Sequence, residues 1–216
     1  DPEWLIERGW LGESFLSSGS GEWRRAAFDA FQVRHRELEP TRSAYQNFVR
    51  EHDWWLADYT LYMAIREECG HDPWQEWPVS LRDRWPAALQ AAGRRLANIT
   101  ARYAFEQYLF FTQWQELKDY ARARGVVLFG DMPIFVAADS ADVWCSRSYF
   151  DLDSLGYPRV VAGVPPDYFS ATGQRWGNPH YDWAAMESDG FSWWVGRLRS
   201  QLELYDWVRI DHFRGF

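Results

Sequence analysis

Apolar residues recur at helical spacing through the N-terminal half of the chain and give way to short unbroken apolar runs beyond it. From Glu22 to Val33, Trp23, Ala26, Ala27, Ala30 and Phe31 follow the i, i+3, i+4 rule of a one-sided helix. Pro40 and Thr41 read as the close of that unit. A second helical stretch is expected from Ser43 to Glu51. A third opens on Asp53 as N-cap and runs through Leu56, Tyr59, Leu61, Tyr62 and Ile65 to Gly70. Further helices are expected after Ser80 and around Ala88, with Pro73, Pro78 and Pro86 punctuating the join. The pattern predicts a mainly helical subdomain over residues 1–105, with neither an internal repeat nor a low-complexity linker.

Near Gln107 the pattern changes. Tyr108, Leu109, Phe110 and Phe111 are a short run of strand formers, followed by Thr112 and Gln115 at capping-box spacing. The helix expected there buries Trp114, Leu117, Tyr120 and Ala121. Arg122 and Arg124 suit its negative end, and Gly125 is placed to terminate it. Val126 to Phe129 is apolar on both faces, as a parallel strand covered by helices must be. A last helix from Phe191 to Leu204, with Trp194, Val195 and Leu198 inward, feeds the run Trp207, Val208, Arg209, Ile210, Asp211. Alternating strand and helix over residues 106–216 predicts an α/β fold with a parallel sheet or barrel. Between the elements lies Asp139 to Asp182, rich in Gly, Pro and aromatic residues and with little periodicity. A stretch of that length inside a compact domain is usually functional, and its aromatics argue against disorder.

Composition narrows the function. The chain of 216 residues is 47% hydrophobic and 25% charged, as a globular protein is. Its formal charge of −8 provides no basic excess with which to bind nucleic acid. Uncharged runs as long as Gln107 to Gln115 fall far short of the roughly 20 apolar residues that a membrane span needs. Asp1, Glu3 and Glu7 stand where a signal peptide would be basic. Two cysteines, Cys69 and Cys145, make no disulfide framework, so a reducing cytoplasm is expected. The outlier is the aromatic content, 19% of the chain.

Two of the expected strands end in carboxylates, Asp131 and Asp211, where parallel barrels carry their reactive groups. Arg209 and Asp211 share one face of the last strand, about 7 Å apart. The guanidinium there can keep the carboxylate ionised as a nucleophile. Spacing alone favours a structural ion pair, and Asp131 before Met132 and Pro133 more strongly suits a turn.

The ordered blocks say more. Gly130-Asp-Met-Pro-Ile-Phe-Val136, Asp139-Ser-Ala-Asp-Val-Trp144, Val161 to Gln174 (VAGVPPDYFSATGQ), Trp176-Gly-Asn-Pro179 and Arg209-Ile-Asp-His-Phe-Arg-Gly-Phe216 occur together. In that order the chain resembles the amylomaltases, the 4-α-glucanotransferases of the α-amylase clan, densely from about residue 107 onward. The resemblance implies a partial (β/α)8 barrel of about three strands behind a helical subdomain. It implies retaining transfer of α-1,4-glucan segments between maltooligosaccharides; no cofactor is expected, and Cys145, His180 and the other His residues show no metal-ligand spacing. Asp211 then corresponds to the nucleophile and Arg209 to its electrostatic partner, while Asp131 would hydrogen-bond donor-sugar hydroxyls. Tyr168 and Phe169 match a mobile aromatic loop and Trp176 a sugar-contacting ring; His212 and Arg214 either reach the sugar or are structural. The family's acid/base Glu and second Asp have no counterpart before Phe216. The chain is therefore expected to be a fragment lacking both ends of the family's length and inactive alone. Two competing readings remain: a non-catalytic α-glucan-binding homologue, and a helical scaffold whose aromatics only fill a core.

Overall fold

The structure is a computed structural model that describes residues 1–17, 19–37, 39–168 and 170–216. Ten α-helices and four short strands occur among the described residues. In chain order they are α1 (Pro2–Glu7), α2 (Ser20–Glu37), α3 (Glu39–Glu51), α4 (Asp53–Glu68), α5 (Val79–Arg82), α6 (Pro86–Arg95), α7 (Ala97–Arg122), β1 (Phe129–Met132), α8 (Ala141–Cys145), β2 (Val161–Val164), β3 (Gln174–Pro179), α9 (Trp183–Ser188), α10 (Ser192–Leu204) and β4 (Trp207–Ile210). The fold is mostly helical α/β. It divides into two compact units, one of Asp1–Ala64 with Ala92–Thr112, the other of Ile65–Ala91 with Gln113–Phe216.

The first unit is all helical and its core is aromatic. Phe31 stacks on Phe105 at 4.5 Å between centroids, with Trp10 and Phe28 against Phe105 and with Leu5, Leu11 and Leu109 beside them. Tyr45, Phe48, His52 and Phe111 extend the same packing. The expected strand at Tyr108–Phe111 is instead the middle of α7. Ala101, Ala104, Phe105, Tyr108 and Leu109 keep a 3.6-residue period that a four-residue window does not reveal, and their burial against α2 and α3 outweighs local β-propensity. Pro40 likewise opens α3 rather than ending a unit, because a proline in the first turn lacks only an N–H that has no helical partner anyway.

In the second unit α7 ends as expected. Gly125 has φ +72°, and the Val126 N–H returns to the Ala121 carbonyl at 3.0 Å. Its buried side differs: Leu117 and Tyr120 are exposed, while Ala121 and Lys118 are buried, the Lys118 Nζ donating to the Glu203 carbonyl at 2.8 Å. Val195 on α10 also faces outward.

β1 and β4 form a two-stranded parallel sheet in which Phe129 pairs with Trp207, Gly130 with Val208, Asp131 with Arg209 and Met132 with Ile210. The expected strand at Val126–Phe129 starts only at Phe129, and Val126, Val127 and Phe129 are exposed rather than covered. Both strands enter from one fastening. Asp206 accepts the Leu128 N–H at 2.9 Å and two Arg122 bonds at 3.0 and 2.6 Å, while its own N–H goes to the Leu128 carbonyl. These partners hold its carboxyl below the usual range, the Leu128 N–H contributing most.

The described residues of the Asp139–Asp182 stretch form elements of their own. Ser140 caps α8, β2 and β3 make an antiparallel hairpin, and Trp74 is fully buried against the stretch with its Nε1 on the Ala138 carbonyl at 2.8 Å. Gly156, at φ +93°, lies against the Trp74 ring where no Cβ would fit.

Candidate active site

Strand alternation places Phe129, Asp131, Trp207 and Arg209 on one face of the β1–β4 pair, with Gly130 and Met132 buried on the other. Gly130 leaves room for the Tyr205 ring, which occupies the space a Cβ would need. Asp211 follows β4 directly, and its N–H donates to the Met132 carbonyl at 3.0 Å, extending the pairing past Ile210. Three charged groups therefore meet at the C-terminal ends of two parallel strands.

Arg209 forks onto Asp131, its Nε donating to Oδ1 at 3.0 Å and its Nη2 to Oδ2. The same Nη2 lies 3.7 Å from Asp211 Oδ1. The two bonds from Arg209 hold the Asp131 carboxyl below its ordinary pKa, and the bond to Asp131 raises that of Arg209. These two bonds favour the ionised form of Asp131 and hold it as an acceptor toward Arg209. Asp211 is open to solvent with Arg209 Nη2 at 3.7 Å, so an incoming ligand can reach its oxygens beside a permanent positive charge. The sequence paired Arg209 with Asp211 along one strand. The structure adds its stronger partner, Asp131, which the parallel register brings opposite it.

A second group is aromatic. Trp176, on β3, meets the His212 ring edge-on at 5.0 Å between centroids and donates its Nε1 to Gln174 Oε1 at 2.9 Å. His212, in a left-handed conformation with φ 53°, turns the chain from β4 into the Phe213–Gly215 turn. Trp176 keeps 38% of its surface exposed, so part of this large apolar side chain is within reach of a ligand. Tyr168, between β2 and β3, is 96% exposed. Phe169 lies outside the described residues. Arg214 is exposed in the turn after His212. Among the described residues, no cluster of three or more His, Cys, Asp or Glu side chains is placed to hold a metal ion.

Sequence reading missed a third group beneath the site. The buried Tyr181 donates to the Ile134 carbonyl at 2.6 Å, and its ring stacks on Phe135, which in turn contacts Trp176. Arg197 of α10 donates to the same carbonyl at 3.0 Å, to the Tyr181 hydroxyl at 2.9 Å and to the Pro133 carbonyl. Only the adjacency of Pro133 and Ile134 to Asp131 hints at this in the sequence.

Comparison with known proteins points to one family. The structure resembles the amylomaltase from Streptococcus agalactiae, solved in complex with acarbose, with a TM-score of 0.90 and 34% identity, covering 100% of this chain and 46% of that one. The 4-alpha-glucanotransferase of Thermus thermophilus is 52% identical over 192 residues, 89% of this chain and 38% of that protein. The Synechocystis enzyme of the same name is 49% identical over 173 residues, 80% of this chain and 34% of its own length. The chain thus spans little more than a third of these curated relatives. A family model described as 4-alpha-glucanotransferase matches residues 21–216, and the chain belongs to that family.

Proposed function

We propose that the chain is part of a 4-α-glucanotransferase that moves α-1,4-glucan segments between maltooligosaccharides with retention of configuration. The observation that carries this reading is the array Asp131–Arg209–Asp211 at the exit ends of two paired parallel strands. In the proposed reaction an Asp211 oxygen attacks the anomeric carbon and the bond to the leaving sugar oxygen breaks. A carboxylic acid protonates that oxygen, and an acceptor 4-hydroxyl then displaces Asp211 as the same acid, now a base, takes its proton. Arg209 stabilises the charge on Asp211, and Asp131 accepts hydrogen bonds from donor-sugar hydroxyls. Trp176 and His212 line the sugar site, and Tyr168 covers the acceptor side, where shielding from water would favour transfer over hydrolysis.

As the family resemblance implies, we assign the acid to a residue outside these 216 and expect this chain alone to be inactive, with Asp131, bonded by Arg209, serving as an acceptor. The exposure of Phe129 at 65% and Trp207 at 67% supports an incomplete barrel over residues 106–216, since parallel sheets are normally covered on both faces. Residues 1–105 would then be a helical subdomain preceding it. In this reading the enzyme is cytoplasmic and needs neither cofactor nor metal.

The test is to supply the full-length protein with maltotriose and follow glucose and longer maltodextrins. Asp211→Asn should lower transfer by about 10⁴-fold or more, because the covalent intermediate cannot form. Retained turnover in that variant would remove the nucleophile assignment. Binding of maltooligosaccharides without turnover in the unaltered protein would favour the non-catalytic glucan-binding alternative.

A further inference from the structure

We infer that Arg197 is a positioning residue for the proposed transfer reaction, clamping the exit of β1 to α10 so that Asp131 stays opposite Arg209. The inference rests on the transferase reading above. β1 ends at Met132, and the next two carbonyls, those of Pro133 and Ile134, both receive Arg197: Ile134 from Nη1 at 3.0 Å, Pro133 from Nη2. Nη1 also donates to the Tyr181 hydroxyl at 2.9 Å, and Tyr181 in turn donates to Ile134 at 2.6 Å. The peptide that leaves the Asp131 strand is therefore held from two sides.

Arg197 belongs to the helix that leads into β4, so one guanidinium links the strand carrying Asp131 to the element that delivers Arg209 and Asp211. Its charge lies over the faces of Trp193 and Trp194, 5.4 and 5.2 Å from the ring centroids, and counters in part the burial that pushes the Asp142 carboxyl of α8 up. Lysine cannot reproduce this. It is a point charge on a single nitrogen, whereas the arginine reaches the Pro133 carbonyl from Nη2 and the Ile134 carbonyl and Tyr181 hydroxyl from Nη1. Burial pushes the Tyr181 phenol up to about 12, so it remains a donor across the working pH range. The clamp also reaches the sugar platform, because the Tyr181 ring stacks on Phe135, and Phe135 touches Trp176.

The test compares Arg197→Lys and Tyr181→Phe in the full-length protein. Arg197→Lys should lower kcat on maltotriose by about 10- to 100-fold, the cost of ångström-scale misplacement of reacting groups. Tyr181→Phe, which keeps the ring and loses one bond of the clamp, should show a smaller loss of the same kind. In Arg197→Lys the acid limb of kcat/KM should move upward, since Asp131, faced by Arg209 and Asp211, would lose part of the pairing that keeps it ionised. Partial unfolding lowers only the amount of active enzyme and would leave that limb in place. Hydrogen exchange at the Asp211 amide, bonded to Met132, should quicken in both variants. Unaltered kcat and acid limb in Arg197→Lys would overturn the inference. So would a fall in kcat with both the limb and the Asp211 exchange rate unmoved. If the unaltered protein transfers no glucan, the transferase reading fails, and an Asp211 exchange rate indifferent to Arg197→Lys then overturns the clamp independently.

Discussion

A guanidinium can serve two carboxylates only if they lie on different N–H directions, and Arg209 meets that condition. One edge forks onto Asp131 while Nη2 also faces Asp211 at 3.7 Å. The pair is held in line by the backbone beneath it, where Gly130 lets the Tyr205 ring close against β1. Gly130→Ala should therefore destabilise the protein by about 1–3 kcal/mol, the usual cost of overpacking, as read from the denaturant midpoint. Adding Tyr205→Leu should restore part of the loss. An alanine tolerated without cost would mean that the Tyr205 ring moves freely. Arg209 and Asp211 were visible in the sequence as a same-face pair, and Asp131 as a strand-end carboxylate. That Asp131 is the closer partner was not, because register is a relation between strands that no single strand encodes.

Among the elements, the candidate site depends on how the Gly- and Pro-rich stretch is stitched down. Asp182 N-caps α9, accepting the Ala185 N–H at 3.0 Å, and its own N–H goes to the Tyr149 carbonyl, tying that helix start to the turn after α8. Asp182→Ala should cost about 1 kcal/mol of stability, measurable by thermal unfolding, and Asp182→Asn much less because the amide oxygen still caps. A loss equal in both variants would point to charge rather than capping. Helix ends marked by glycine were legible locally: Gly125 closes α7 and Gly70 follows α4, both at positive φ. The Tyr108–Phe111 run was not. Its residues favour strand in isolation, and only burial of the longer Ala101-to-Leu109 stripe on other aromatic helices makes it helical.

At the scale of the whole molecule, net charge is −8 and many ion pairs are exposed, so most contribute little. Asp83 is an exception. Bonds from Arg82 and then Arg147 hold its carboxyl down to about 2, against an ordinary 3.8. A depressed carboxyl stabilises the fold above its unfolded pKa, and that contribution disappears as pH falls from about 4 toward 2. Allowing for solvent screening, Asp83→Asn should cost about 1 kcal/mol at neutral pH and nothing near pH 2. Urea titrations of the full-length protein at both pH values check this; an equal cost at both would exclude the ion pair as the cause. The aromatic excess also resolves at this scale. Rings such as Phe31, Phe105 and Trp74 fill cores, whereas Trp176 and Tyr168 remain open to solvent.

The sequence by itself determined the family, through ordered blocks of residues, and with it the identity of Asp131, Arg209 and Asp211 as candidates, because chemistry-bearing residues are local facts. It also determined most helix positions, because hydrophobic period and capping act within a few residues. Tertiary structure decided what depends on distant neighbours: the helical state of Tyr108–Phe111, the pairing of Asp131 with Arg209, the burial of Lys118 and the Arg197 clamp. Each of these is fixed by contacts between residues far apart in the chain, whose free energy outweighs local preference only once the elements have packed.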